Sequence, residues 1–143
     1  MRHGSHQNLI RSAIAALLLT AAHATASDYD TGLLELINSY RTERGLGTLV
    51  MKQELTTLAR EHSRGMKQAA RLSHDGFKGR FRKAQKSGNS GCVENVGWNY
   101  PTAAAQFEGW QNSPGHDRNM LDPKITGAGI ARAGAYVTFF ACY

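Results

Sequence analysis

From Asp28 onward, Leu33, Leu36, Ile37 and Tyr40 fall at the i, i+3, i+4, i+7 spacing of one helical face, and Gly45 supplies a stop. GLGTL, residues 45–49, then reads as a turn leading into a second helix. That helix carries Leu55, Leu58, Ala59, His62, Met66 and Ala69 on one side, with Lys52, Arg60, Glu61, Arg64 and Lys67 mostly elsewhere. His62 thus lies on or beside an apolar stripe, where a hydrogen-bonded histidine at the core edge is the default expectation.

The periodicity changes after Arg71. LSHDGF, residues 72–77, breaks the helix with a His-Asp-Gly turn, a short helix is expected around residues 80–85, and KSGNSG, residues 86–91, is a loop by composition. CVENVGW, residues 92–98, sets Val93, Asn95 and Gly97 against Glu94, Val96 and Trp98 and predicts a strand. PTAAAQFEGWQNS, residues 101–113, returns to helical spacing, with Ala103, Phe107 and Trp110 on one side and Pro101 near the start. Ser113-Pro114-Gly115 stops that helix and presents His116 at the head of another short one. The final segment predicts a hairpin with arms at residues 127–132 and 135–143 and Ala133-Gly134 at the bend. About three helices flanking a small, mostly antiparallel sheet make a layered α+β domain.

The N-terminus has another character. Arg2 and Arg11 precede the apolar run AIAALLLTAA, residues 13–22, and small residues follow at Ala22, Ala24 and Ala26. That pattern predicts a cleaved export signal over residues 1–26, leaving one domain over residues 27–143. The run is about half the roughly 20 residues needed to cross a bilayer, so no membrane span is expected in the mature chain. Export implies a periplasmic or secreted protein, and a monomer is the simplest expectation.

Charge refines the picture only slightly. The chain carries +6, and removing Arg2 and Arg11, the only charges before Asp28, leaves +4. Lys78, Arg80, Arg82, Lys83 and Lys86 form a basic run that reads first as a solvated face and second as an attraction for anionic polymers. No nucleic-acid motif accompanies it, so nucleic acid is not an expected partner. Two cysteines in an exported chain, Cys92 and Cys142, most simply form one disulfide. The alternative is a nucleophilic Cys92 served by a histidine.

Outside the leader the histidines are His62, His74 and His116, and Glu94 lies inside the predicted strand. Two turn histidines and one glutamate would suit a divalent metal or proton transfer, although separations of about 20 residues match no short metal motif. No G-x-S-x-G, P-loop or dinucleotide fingerprint occurs.

The order LLELINSYRTERGLGTL, LTTLAREHSRGM, LSHDGF, CVENVGW and GWQNSPGHDRNML resembles the bacterial branch of the CAP superfamily, which includes cysteine-rich secretory proteins, antigen 5 and plant pathogenesis-related class 1 proteins. The Glu-Asn pair and the Trp-x-x-Ser-Pro-Gly-His run carry it best. The resemblance implies a three-layer α-β-α sandwich and a cleft built on His74, Glu94 and His116. His62 and Asn95 would stand behind that cleft. Ser113 occupies the place of a second glutamate found in many eukaryotic members, so the implied divalent ion, such as zinc, is expected to bind weakly.

Three functions follow. The first is an exported binding module whose cleft takes a divalent metal, a lipid or a cell-envelope polymer. The second is a protease-like hydrolase using Glu94 as base with His74 and His116 as its partners. The third is a basic surface for anionic polymers. No activated nucleophile is legible, and a fold likeness alone does not warrant an enzyme, so the first is preferred.

Overall fold

A computed structural model describes residues 27–143; the predicted export signal lies outside the described residues. The first helix, α1 (Asp28–Thr42), starts at a reciprocal cap in which the Asp30 amide donates to Ser27 Oγ at 3.2 Å and the Ser27 amide donates to Asp30 Oδ2 at 3.4 Å. Leu33, Ile37 and Tyr40 form its buried face. Strand β1 (Val50–Met51) is a two-residue piece just after the segment read as a turn, and α2 (Gln53–Ala69) follows it. Then come α3 (Phe77–Gln85), β2 (Cys92–Trp98), α4 (Ala103–Gln111), α5 (Pro114–Met120) and the hairpin β3 (Gly127–Ala133) and β4 (Tyr136–Cys142).

The sheet order is β1-β3-β4-β2, with β1 parallel to β3 and the other pairs antiparallel. Because β4 is buried on both faces, its sequence shows no polar alternation, and parity alone divides it between two cores. Val137, Phe139 and Ala141 pack with Leu33, Ile37, Trp110 and Met120 under α1, α4 and α5. Phe140 and Cys142 pack with Leu55, Leu58 and Ala59 of α2. The result is the expected α+β, α-β-α sandwich. At Gly129 an added Cβ would fall 2.1 Å from the Leu55 carbonyl carbon, so the glycine sets how closely α2 approaches the sheet.

Several sequence expectations shift by local physics. Ala69 is exposed, and the apolar stripe of α2 ends at Met66. Pro101 lies outside α4, whose cap is Thr102, accepting from the Ala105 amide at 3.1 Å. The basic run is not wholly solvated: Lys83 meets Glu61 at the surface at 3.1 Å, whereas Arg80 is buried. Cys92 and Cys142 stand directly opposite in the β2/β4 register and form a disulfide with a sequence separation of 50.

Candidate functional site

Strand β2 lies at the sheet edge, and its alternation sends neighbouring side chains to opposite layers. Glu94 faces α2 and α3, and its side chain is 1% exposed. A buried carboxylate needs partners, and it has them. Arg80 of α3 places Nε 2.7 Å from Oε2 and Nη2 2.8 Å from Oε1, a two-pronged ion pair. His74 Nδ1 lies 2.9 Å from Oε1, and His62 Nε2 lies 3.7 Å from the same oxygen.

The segment bearing His74 is held from behind. His62 Nε2–H donates to the Ser73 carbonyl at 2.8 Å, the only role a carbonyl partner permits. Arg80 Nη1 donates to the Asp75 carbonyl at 2.8 Å. Gly76, at φ +76°, turns the chain into α3 in a conformation that favours glycine, which brings Arg80 back under the loop. His74, whose side chain is 53% exposed, is thereby fixed at its Nδ1 edge while its other edge looks outward. A carboxylate only accepts, so Nδ1 carries the hydrogen and a neutral His74 presents the Nε2 lone pair.

Asn95 points into the other layer. Its Nδ2 donates to the His116 carbonyl at 3.0 Å, and its Oδ1 accepts from Asn119 Nδ2 at 2.9 Å. Asn119 also reaches the Glu94 carbonyl at 3.1 Å, and Trp110 Nε1 donates to the Val96 carbonyl at 3.0 Å. These bonds seat α4 and α5 on β2 and hold His116 beside the Trp110 ring, centroids 6.4 Å apart. His116 Nδ1 is buried without a protein partner among the described residues. Burial, helped by the charge on nearby His74, lowers the His116 pKa, and burial also lowers that of His62 against the opposing pull of Glu94.

Of the sequence-predicted residues, His74 and Glu94 are in direct contact, with His62 behind them and Asn95 supporting His116. His116 makes no hydrogen bond to Glu94: its carbonyl accepts from Asn95, the next residue along the strand, and its ring lies close enough to His74 for the two to interact electrostatically. Among the described residues no group of three or more His, Cys, Asp or Glu is placed to hold a metal ion. Ser113 and His116 line a cavity of about 310 Å³ together with Trp98, Tyr100, Gln106 and Trp110. Sequence reasoning misses Arg80 and Gln106 as site residues. Arg80 is legible in one respect, because it shares a stripe with Phe77 and Ala84 at i−3 and i+4.

Residues 34–143 match the family described as CAP: Cysteine-rich secretory protein family. The chain belongs to the CAP family. It is 30% identical over 125 residues to the uncharacterized protein YkwD of Bacillus subtilis (strain 168), an alignment covering 83% of this chain and 49% of that one. It is 32% identical over 110 residues to the uncharacterized membrane protein YlbC of the same organism, covering 74% and 32%. This CAP chain therefore spans less than half the length of these relatives. An extracellular SCP-domain protein from Bacillus anthracis superposes with a TM-score of 0.73 at 27% identity, over 80% of this chain and 40% of that one. An outer surface protein of Borrelia burgdorferi gives 0.73 at 18% identity over 84% and 96%, which speaks to the fold alone. Among the described residues no helix is long and apolar enough to cross a membrane.

Proposed function

We propose that the protein is an exported binding module whose cleft runs from His74 to His116, with Glu94 serving to orient His74. The observation that carries this reading is the state of Glu94. Both of its oxygens are taken up by Arg80 and His74, so the carboxylate is an anchor and not a free base. Export draws support from the leader pattern and from the likeness to an extracellular SCP-domain protein.

The ligand classes are a divalent metal, a lipid or a cell-envelope polymer. For a metal, the donors that fit are the two imidazoles. His74 has its Nδ1 tied to a carboxylate, the arrangement that fixes ring and tautomer in metal-binding histidines. His116 is favoured in its neutral form. Zinc prefers three protein ligands plus water, or four protein ligands, so a two-histidine site predicts weak binding. A bound ion would supply a Lewis-acid position at the cleft mouth.

Calorimetric zinc titration of residues 27–143, beside folded His74→Ala and His116→Ala variants, tests the metal reading. Loss of binding in both variants supports it; no binding in the parent removes the metal and leaves organic ligands. The hydrolase reading draws on the burial of His116, which favours the neutral ring that a general base needs. It requires turnover of a peptide or ester substrate that His116→Ala abolishes.

A further inference from the structure

The cavity beside His116 contains four residues that stability alone would not select. Gln106 is completely buried, yet neither its Oε1 nor its Nε2 has a hydrogen-bond partner among the described residues, and His116 Nδ1 shares that condition. Burying a polar group without a partner is unfavourable, so a leucine would be the better core residue at position 106. The two neighbouring glycines make room for polar side chains. A Cβ on Gly97 of β2 would lie 1.9 Å from Gln106 Oε1, and one on Gly109 of α4 would lie 2.6 Å from the Tyr100 hydroxyl. Glycine inside a strand or a helix is itself unfavourable. Local costs that converge on one cavity mark a functional site.

The lining states what would fit. It contains no Asp, Glu, Lys or Arg, so the occupant is uncharged. At about 310 Å³ the cavity sits at the lower end of the range for small-ligand pockets, room for a single ring and not for a chain. Trp98 and Tyr100, both exposed at the mouth, offer flat aromatic faces, while Gln106 offers a donor and an acceptor and His116 a further ring nitrogen. Aromatic faces suit the C–H face of a pyranose. Two separate polar groups suit an acetamido substituent, whose N–H and C=O point in opposite directions.

We infer that this cavity binds one uncharged N-acetylated amino-sugar ring through the Gln106 carboxamide, His116 Nδ1 and the Trp98 and Tyr100 faces. The inference rests on reading the cleft as a binding site, and it names the ligand for the part of that cleft His74 does not reach.

The test is a chemical-shift titration of the 27–143 domain with N-acetylglucosamine, run beside glucose, which lacks the amide, and N-acetylalanine amide, which lacks the sugar. Saturable shifts of the Gln106 side-chain amide and the Trp98 indole are expected with N-acetylglucosamine alone. Gln106→Leu should weaken this binding about tenfold or more while unfolding at higher denaturant than the parent. Trp98→Ala, at an exposed position, provides a second variant with the same expected loss. Zinc titration of Gln106→Leu separates the sugar site from the metal site. Retained zinc binding with lost sugar binding supports the inference, as does sugar binding by a parent that takes no zinc. Absence of saturation at millimolar sugar, equal binding of N-acetylalanine amide, or unchanged sugar affinity in Gln106→Leu overturns it.

Discussion

Arg80 lays its guanidinium along the Glu94 carboxylate, with Nε on Oε2 at 2.7 Å and Nη2 on Oε1 at 2.8 Å, and continues to the Asp75 carbonyl at 2.8 Å. One arginine therefore joins α3, β2 and the loop that carries His74. Because both charges are buried, removing either leaves the other without its counter-charge. Arg80→Met is expected to lower unfolding free energy by about 3–5 kcal/mol, and the double variant Arg80→Met/Glu94→Leu to recover most of that loss. Urea denaturation of the three proteins checks this; equal losses in the single and double variants would show that the pair is not the source.

His62 and His116 give the fold an acid limit. Their folded-state pKa values lie below the ordinary histidine value of 6.5, so the unfolded chain binds more protons once pH drops below that value. Stability in metal-free protein is thus full above about pH 6.5 and falls as the solution is acidified through the folded-state values. Arg80 faces His62 and reinforces the shift, while Glu94 opposes it. Thermal melts across this range should show the decline, and His62→Gln, whose amide can still donate to the Ser73 carbonyl, should make it shallower.

The disulfide lies two residues from Glu94 and ties the ends of β2 and β4. Closing a loop of 50 residues contributes about 4 kcal/mol in the chain-entropy account. Cys92→Ser/Cys142→Ser is expected to lower the melting temperature by on the order of 10 °C, measured by calorimetry against the oxidised parent.

Asn95 reaches α5 twice, through the His116 carbonyl and through Asn119. Asn95→Leu removes one bond from the His116 carbonyl and one from Asn119, which keeps its bond to the Glu94 carbonyl, and should destabilise by about 0.5–1.5 kcal/mol for each bond lost. It should also shift the His116 ring resonances while leaving those of His74 nearly unchanged. Equal perturbation of both histidines would indicate a general loosening of the sheet edge.

The sequence is most legible where period and burial coincide. The α1 and α2 stripes, the β2 run with its bounds, and the C-terminal hairpin can all be read, because each puts apolar residues on a recognisable repeat. The Cys92–Cys142 pairing follows from there being two cysteines behind an export-signal pattern. The parallel β1 strand is not legible, since two residues carry no period. Arg80 reads as a solvated cation because charge runs usually are; only its place on the Phe77 and Ala84 stripe distinguishes it from Lys78 or Lys83. Motif order groups His74, Glu94 and His116, but it does not encode the partners each one meets. Alternation along β2 gives the Glu94 side chain to α2 and α3 and the Asn95 side chain to the His116 carbonyl. Gln106 gives no sign at all, because a glutamine in a helix is ordinarily exposed.

Whether His74 and His116 form the metal-reactive part of the cleft, with Glu94 fixing the His74 ring, is decided by the histidine ring-nitrogen spectrum of the 27–143 domain through a zinc titration. His74 is expected to begin with its hydrogen on Nδ1, the His74 and His116 rings to shift together, and His62 to keep its Nε2 hydrogen throughout. Zinc-induced shifts at His62 without His116, or a His74 ring that starts with its hydrogen on Nε2, would contradict that assignment.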